Sequence, residues 1–146
     1  MDAASGFSLV ELLFALIIAG ILAAIALPGW TRLLPSYHLD SSVRQVQSEL
    51  HSIKMRAAAE NATFQLSYGT GASDYTIRSG SSALATRPLP PGIVITKAGA
   101  VLFYPRGTAS ANRVRLRNAE GMCRQVVVSA TGRVRVCQPD DCNSDC

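Results

Sequence analysis

Residues 6–28 read GFSLVELLFALIIAGILAAIALP, and this stretch decides what kind of chain follows. From Leu12 to Leu27 it contains no charged residue, and with Leu9 and Val10 in front it would span about 28 Å as a helix. That length is close to the hydrocarbon thickness of a bilayer. A cleavable secretory signal peptide is an alternative, with a small-residue site at Ala24-Ile25-Ala26. However, no Lys or Arg precedes the apolar run, and the run begins beside Glu11, whose carboxylate requires a partner in an apolar setting.

These residues resemble the type III signal of type IV pilins and of type II secretion pseudopilins, in which cleavage follows Gly and the fifth mature residue is Glu. The resemblance implies that a prepilin peptidase cuts between Gly6 and Phe7, and that the new Phe7 amine is methylated. It also implies that Glu11 pairs with the Phe7 amine of a neighbouring subunit during assembly. Pro28 matches the helix-breaking proline of that family, which predicts a kink or a locally melted turn. The leader departs from the pattern, because MDAASG carries Asp2 and no basic residue.

The segment after Pro28 predicts a second, amphipathic half of the same helix. Its apolar residues recur at spacings of four and three, which places them in one stripe, and the helix should end near Asn61. The stripe consists of Leu39, Val43, Val46, Leu50, Ile53 and Ala57. A coiled coil is the alternative, but the stripe spans under three heptads, so packing on the chain's own sheet is favoured.

Beyond Asn61 the sequence becomes rich in Val, Ile, Thr, Tyr, Gly and Ser, with short alternating runs between turn signals. Strands are expected at 63–68, 75–78, 93–96, 101–104, 113–117, 122–129 and 133–136, and loops at 69–73, 79–92 and 106–111. The pattern predicts the fold class α+β, and the resemblance to pilins implies a pilin fold, with a long bent helix packed on an antiparallel β-sheet. The expected organisation is a leader at residues 1–6, a transmembrane and filament-core helix at 7–34, and a periplasmic domain at 35–146.

Four cysteines lie close together in the sequence, at Cys123, Cys137, Cys142 and Cys146. An even, clustered set predicts two disulfides in an oxidising compartment, whereas a zinc site lacks the usual paired CxxC spacing. The run CRQVVVSATGRVRVC predicts a β-hairpin about Ala130-Thr131-Gly132, and we expect this hairpin to place Cys123 opposite Cys137. The first choice of pairing is Cys123 with Cys137 and Cys142 with Cys146, although three connectivities are possible.

Arginines alternate with apolar residues in the last strands. Arg113, Arg115 and Arg117 would share one face of their strand, and pairing with the hairpin would add Arg133 and Arg135 to a positive, phosphate-binding surface. Alternatively, these charges only protect a wet sheet face from aggregation. The segment TGRVRVC resembles the C-terminal Gly-Arg-x-Arg pattern of FimT- and GspH-type minor pilins, of which FimT members bind DNA. The resemblance implies backbone contacts to DNA without base specificity.

No catalytic constellation stands out in the sequence, so we expect neither enzyme activity nor a cofactor or metal. The leading hypothesis is a minor pilin of the GspH/FimT type that is incorporated near the tip of a type IV pilus and primes its assembly. The alternatives are a minor pseudopilin of a type II secretion system, a module mainly for DNA capture, and a plain membrane-anchored periplasmic protein. Expected partners are the prepilin peptidase, other pilins or pseudopilins, the inner membrane before assembly, and non-specific DNA.

Overall fold

The computed structural model describes residues 8–139 and 141–144, and within its helix it describes side chains except those of residues 26–33. Contacts divide the chain into two units, Met1–Leu34 and Pro35–Cys146. The helix α1 runs from Leu9 to Ala59. It is continuous through Pro28, so the locally melted turn is not present, while the kink at Pro28 stays a prediction. Within the described ranges, no helix combines the length and the apolar character needed to cross a membrane.

In the first unit, the described part of α1 exposes its large apolar side chains. Leu9 is 79% exposed and Ile25 is 73% exposed, and the residues between them are exposed on every side of the helix. Because apolar side chains lie on every side of this part of the helix, packing of a single helix face could not bury them all.

The second unit buries the predicted stripe of α1. All six stripe residues from Leu39 to Ala57 belong to one core cluster, and each is at most 4% exposed. The largest buried side chains facing them from the strands include Phe64, Tyr75 and Phe103. The amphipathic half of the helix therefore packs on the strands of its own unit, as the spacing predicts.

In the part of the chain that the structure describes, eight strands form two four-stranded antiparallel sheets rather than one sheet. The first sheet has the order β3-β2-β1-β5 and the second has the order β4-β6-β7-β8. The strands are β1 (Phe64–Tyr68), β2 (Asp74–Ser79), β3 (Ser82–Pro88), β4 (Val94–Ile95), β5 (Gly99–Phe103), β6 (Asn112–Arg117), β7 (Cys123–Val128) and β8 (Val134–Cys137).

Strand β3 corrects the prediction of a loop over residues 79–92. It pairs along β2 at the outer edge of the first sheet, and six of its seven residues are exposed. Because nothing covers it, β3 carries no buried alternating residues and gives no apolar signal in the sequence. It ends at Pro88, a residue that is tolerated at sheet edges.

Polar cross-links join the two sheets beneath β6. The Tyr68 hydroxyl of β1 donates a hydrogen bond to the Arg113 carbonyl at 2.9 Å, and Asn112 Nδ2 donates to the Ala100 carbonyl at 2.8 Å. Burial raises the pKa of Tyr68 to about 12, since the phenolate would lose its hydration. These bonds fix the position of β6, the strand that carries three of the candidate arginines.

Candidate functional site

The strand register brings four of the five candidate arginines onto one face of the second sheet. The directly paired rows are Arg113–Val127–Arg135, Arg115–Gln125–Cys137 and Arg117–Cys123. Directly paired residues point to the same side of a sheet, and the intervening Val114, Leu116 and Val126 are buried in the core on the other side. We call the outward side of these three rows the arginine face.

The arginines of this face differ in exposure. Arg117 and Arg135 are exposed, whereas Arg113 and Arg115 are half-buried. The Arg113 Nη1 and Arg115 Nε atoms are inaccessible to water. The centre of the arginine face is therefore less accessible than its two ends.

Residues 129–133 connect β7 to β8 through a three-residue loop, Ala130-Thr131-Gly132, and carry the start of the Gly-Arg-x-Arg segment. The Ser129 amide donates to the Arg133 carbonyl at 3.0 Å, and the Gly132 amide donates to the Ser129 carbonyl at 2.9 Å. Gly132 adopts a φ of 72°, a left-handed conformation that glycine tolerates best. The loop itself is as predicted, but its register places Gln125, and not Cys123, opposite Cys137. Cys123 lies two residues farther along β7, so the expected cross-strand pairing is wrong.

The hairpin loop is hydrogen-bonded to the helix α1 and to the loop that contains Ala109. Lys54 Nζ of α1 donates to the Gly132 carbonyl at 2.9 Å, and the Ala109 amide donates to the Ala130 carbonyl at 3.0 Å. Gly132 is buried, and a Cβ atom there would overlap the backbone carbonyl oxygen of Gly107. These contacts fix the backbone immediately before Arg133.

Arg133 and Arg135 line a shallow groove of about 310 Å³ at the hairpin end. Val127, Ser129 and Thr131 complete its wall, and the Ser129 and Thr131 hydroxyls lie 2.8 Å apart. Two exposed guanidinium groups beside hydroxyl donors suit phosphate oxygens, which accept bidentate hydrogen bonds from arginine.

The opposite end of the arginine face is covered by the C-terminal segment. A disulfide joins Cys123 to Cys142, with Cα atoms 5.3 Å apart, and this corrects both predicted pairings. Cys137 is also disulfide-bonded, and Cys146 lies outside the described residues. Gln125 Nε2 donates to the Ser144 carbonyl at 2.7 Å. Sequence reasoning missed this cover, although the opposite charges of the segment PDDCNSDC and of the arginines were a usable signal.

The residues predicted for processing and assembly lie away from the arginine face in the sequence. Glu11 is exposed in the first turn of α1. Gly6 and Phe7 lie outside the described residues, so the predicted cleavage site and the Glu11 pairing stay predictions. Among the residues that the structure describes, no group of three or more His, Cys, Asp or Glu could hold a metal ion.

Comparisons with known proteins identify the family of the chain. The sequence model described as the prokaryotic N-terminal methylation motif matches residues 1–27. The model described as type II transport protein GspH matches residues 42–132, more than half of the chain. The chain belongs to the GspH family. Its members are pilin-type and pseudopilin-type structural subunits, so the protein is a filament component of this type and not an enzyme.

Two solved proteins share the fold at low sequence identity. The minor pseudopilin EpsH from the type 2 secretion system of Vibrio cholerae is 10% identical with a TM-score of 0.59, over 71% of this chain and 99% of that one. The type IV minor pilin FimU of Pseudomonas aeruginosa is 13% identical with a TM-score of 0.55, over 71% of this chain and 99% of that one. A second crystal form of FimU gives 14% identity and a TM-score of 0.56, over 73% and 96% of the two chains. A search of curated protein sequences finds no match.

The predicted family and fold class are thereby confirmed. The methylation motif further implies processing by a prepilin peptidase, anchoring in a membrane, and assembly with other pilins or pseudopilins.

Proposed function

We propose that this protein is a minor pilin of a type IV pilus that is incorporated near the tip, helps to prime assembly, and binds DNA without base specificity. The observation that carries the DNA contact is the groove of Arg133 and Arg135, two exposed arginines of the β7–β8 hairpin. The loop of this hairpin is held in place by hydrogen bonds from Lys54 and from the Ala109 amide. Arg113, Arg115 and Arg117 add positive charge along the same face. The formal net charge of +4 favours the same partner.

Phosphate contacts of this kind make binding strongly dependent on salt, because each neutralised phosphate releases counterions. The test is DNA binding by the full chain in a neutral detergent, with Arg133→Gln and Arg135→Gln combined. We expect about tenfold weaker binding and a log K against log salt slope that is shallower by about 2.

The matched control removes two other arginines. Arg44 on α1 and Arg87 on β3 are both exposed, so Arg44→Gln with Arg87→Gln changes the net charge equally without altering the groove. Equal binding by the parent and the Arg133 and Arg135 double variant would refute the proposed DNA contact. An equal loss in the control would reduce it to an effect of net charge.

The assembly role rests on the N-terminal segment. In our proposal the prepilin peptidase cuts after Gly6, Phe7 becomes the methylated N-terminus, and residues 7–34 anchor the chain in the inner membrane with residues 35–146 in the periplasm. Glu11 then meets the Phe7 amine of a neighbouring subunit, a pairing that a low dielectric strengthens. Mass spectrometry should find a methylated Phe7 at the N-terminus.

Glu11→Ala should abolish recovery of the chain in sheared filaments, because the neighbour's amine would lose its ion partner. Leu13→Ala, an exposed apolar position two residues along the same helix, serves as the control and should leave recovery near the parental level. Normal incorporation of the Glu11→Ala protein would contradict the pairing.

A second candidate function is that of a minor pseudopilin in a type II secretion system. It is favoured by the description of the matching family and by the fold shared with EpsH. Host cells lacking this chain distinguish the two functions: loss of pili with normal protein secretion supports the pilus, and the reverse supports the secretion system.

A further inference from the structure

Gln125 is completely buried although it lies on the outward arginine face. Its neighbours in the row are Arg115 on β6 and Cys137 on β8, and the core lies on the opposite side of the sheet. Its carboxamide donates to the Ser144 carbonyl, so the C-terminal segment lies over this row. Without this segment, a polar side chain at the centre of a solvent-facing sheet surface would be solvated.

A disulfide holds the segment at residues 141–144 on the face, and hydrogen bonds within the segment fold it. Cys142 is bonded to Cys123, which is paired with Arg117 at the end of β6. Within the segment, the Ser144 amide donates to the Asp141 carbonyl at 3.0 Å, and the Asp141 amide donates to Ser144 Oγ at 3.2 Å. The segment is therefore a folded turn anchored by a covalent bond.

The charge of the segment is opposite to that of the surface it covers. Residues 138–146 read QPDDCNSDC, with three aspartates and no basic residue. Asp141 and Arg117 line the same cavity, which has a volume of about 400 Å³. A carboxylate tethered beside guanidinium groups competes with external anions at a high effective concentration.

We propose that the acidic cover, which we define as residues 138–139 and 141–144, is a built-in competitor that limits polyanion binding to the Arg133 and Arg135 groove. The cover lies over the Arg115 and Gln125 row and offsets the charge of Arg117, while the hairpin end stays exposed. This inference rests on the proposed DNA contact and adds its regulation. Release of the cover adds the centre of the face to the binding surface.

The first test neutralises Asp141 of the cover, and with it the other two aspartates of the C-terminal sequence, without cutting either disulfide. Asp140→Asn, Asp141→Asn and Asp145→Asn together, in the full chain in neutral detergent, should strengthen DNA binding by about three- to tenfold. The salt slope should steepen by about 1, corresponding to one further phosphate contact.

A matched control makes the same change of charge elsewhere. Asp40→Asn, Glu60→Gln and Asp74→Asn remove three carboxylates from α1, from the turn after it and from β2, respectively. An unchanged affinity in the cover variant, or an equal gain in this control, would overturn the inference.

The second test loosens the cover without changing its charge. Cys123→Ser with Cys142→Ser removes its disulfide to β7, and thermal unfolding checks that the domain remains folded. DNA binding should strengthen in the same direction as in the neutralised variant. Unchanged or weaker binding by a folded double variant would count against a clamped competitor.

Adding Arg133→Gln and Arg135→Gln to the neutralised cover separates this inference from the proposed DNA contact. If only the cover is wrongly assigned, the arginine substitutions weaken binding and the cover substitutions have no effect. If only the groove is wrongly assigned, the arginine substitutions have no effect and the gain from neutralising the cover persists. Absence of DNA binding by the parent and by both cover variants would overturn both proposals.

Discussion

The two halves of α1 use the same residue types with opposite outcomes. Between Leu9 and Ile25 the described side chains are exposed, including apolar residues on every side of the helix. Between Leu39 and Ala57 the six residues of the stripe are each at most 4% exposed in the core, whereas Met55, which lies off the stripe, is 71% exposed. An apolar residue is buried only where the fold supplies a facing apolar surface. An exposed apolar surface as large as the first half requires another chain or a bilayer.

The largest expected effect comes from truncating a buried leucine of the second half of α1 and comparing it with an exposed leucine of the first half. Leu50 is 0% exposed, so Leu50→Ala should lower the free energy of unfolding of residues 35–146 by about 2 to 5 kcal/mol. Leu16 is 65% exposed on the first half, and Leu16→Ala should change it by less than about 0.5 kcal/mol. Urea unfolding followed by near-UV circular dichroism measures both, and similar losses from the two substitutions would contradict the contrast.

A second prediction tests how closely the backbone of the folded unit is packed. Gly132→Ala should cost about 2 to 4 kcal/mol, because it combines left-handed strain with an overlap against Gly107. Gly80 has a φ of 56° but open space around it, so Gly80→Ala should cost only about 1 to 2 kcal/mol. Thermal unfolding compares the two variants. Equal losses of stability would mean that the close approach of Gly132 to Gly107 does not contribute to the cost of the substitution.

Alkaline pH should affect residues 35–146 through Tyr68. Its pKa of about 12 in the folded state lies above the model-peptide value of 10.0, so the folded state favours the neutral phenol. The resulting stabilisation is fully present below pH 10 and is lost as the pH rises through about 12, a change of about 2 to 3 kcal/mol. Urea unfolding of the parent and of Tyr68→Phe over this range measures the difference. If the free energy of unfolding changes as little with pH in the parent as in Tyr68→Phe, Tyr68 is not the cause of any alkaline destabilisation.

The smallest predicted effect concerns the link between helix and hairpin. Lys54→Met keeps much of the aliphatic stem but removes the hydrogen bond to the Gly132 carbonyl, which should cost about 1 to 2 kcal/mol. Lys54→Arg retains a donor and should lose less. Urea unfolding measures both variants, and no loss in Lys54→Met would indicate that the loop is fixed by its own turn.

Local patterns were sufficient to predict the helix stripe, seven of the eight strands and the hairpin loop, because each depends on neighbouring residues along one element. Strand β3 was missed because an exposed edge strand needs no apolar alternation. The predicted disulfide pairing was wrong because a three-residue loop sets a register in which Gln125, and not Cys123, lies opposite Cys137. The covered centre of the arginine face could not be derived from strand periodicity, since the cover over Gln125 is a contact between distant parts of the chain.

The stripe that ends at Ala57 also bears on how chains of this fold can vary in length. One residue inserted between Leu39 and Ala57 would turn everything beyond it by about 100° around the helix axis. Part of the stripe would leave the core, and Lys54 would swing away from the Gly132 carbonyl. Insertions and deletions among related chains should therefore fall in loops such as Gly69–Ser73 and be absent from this stretch of α1.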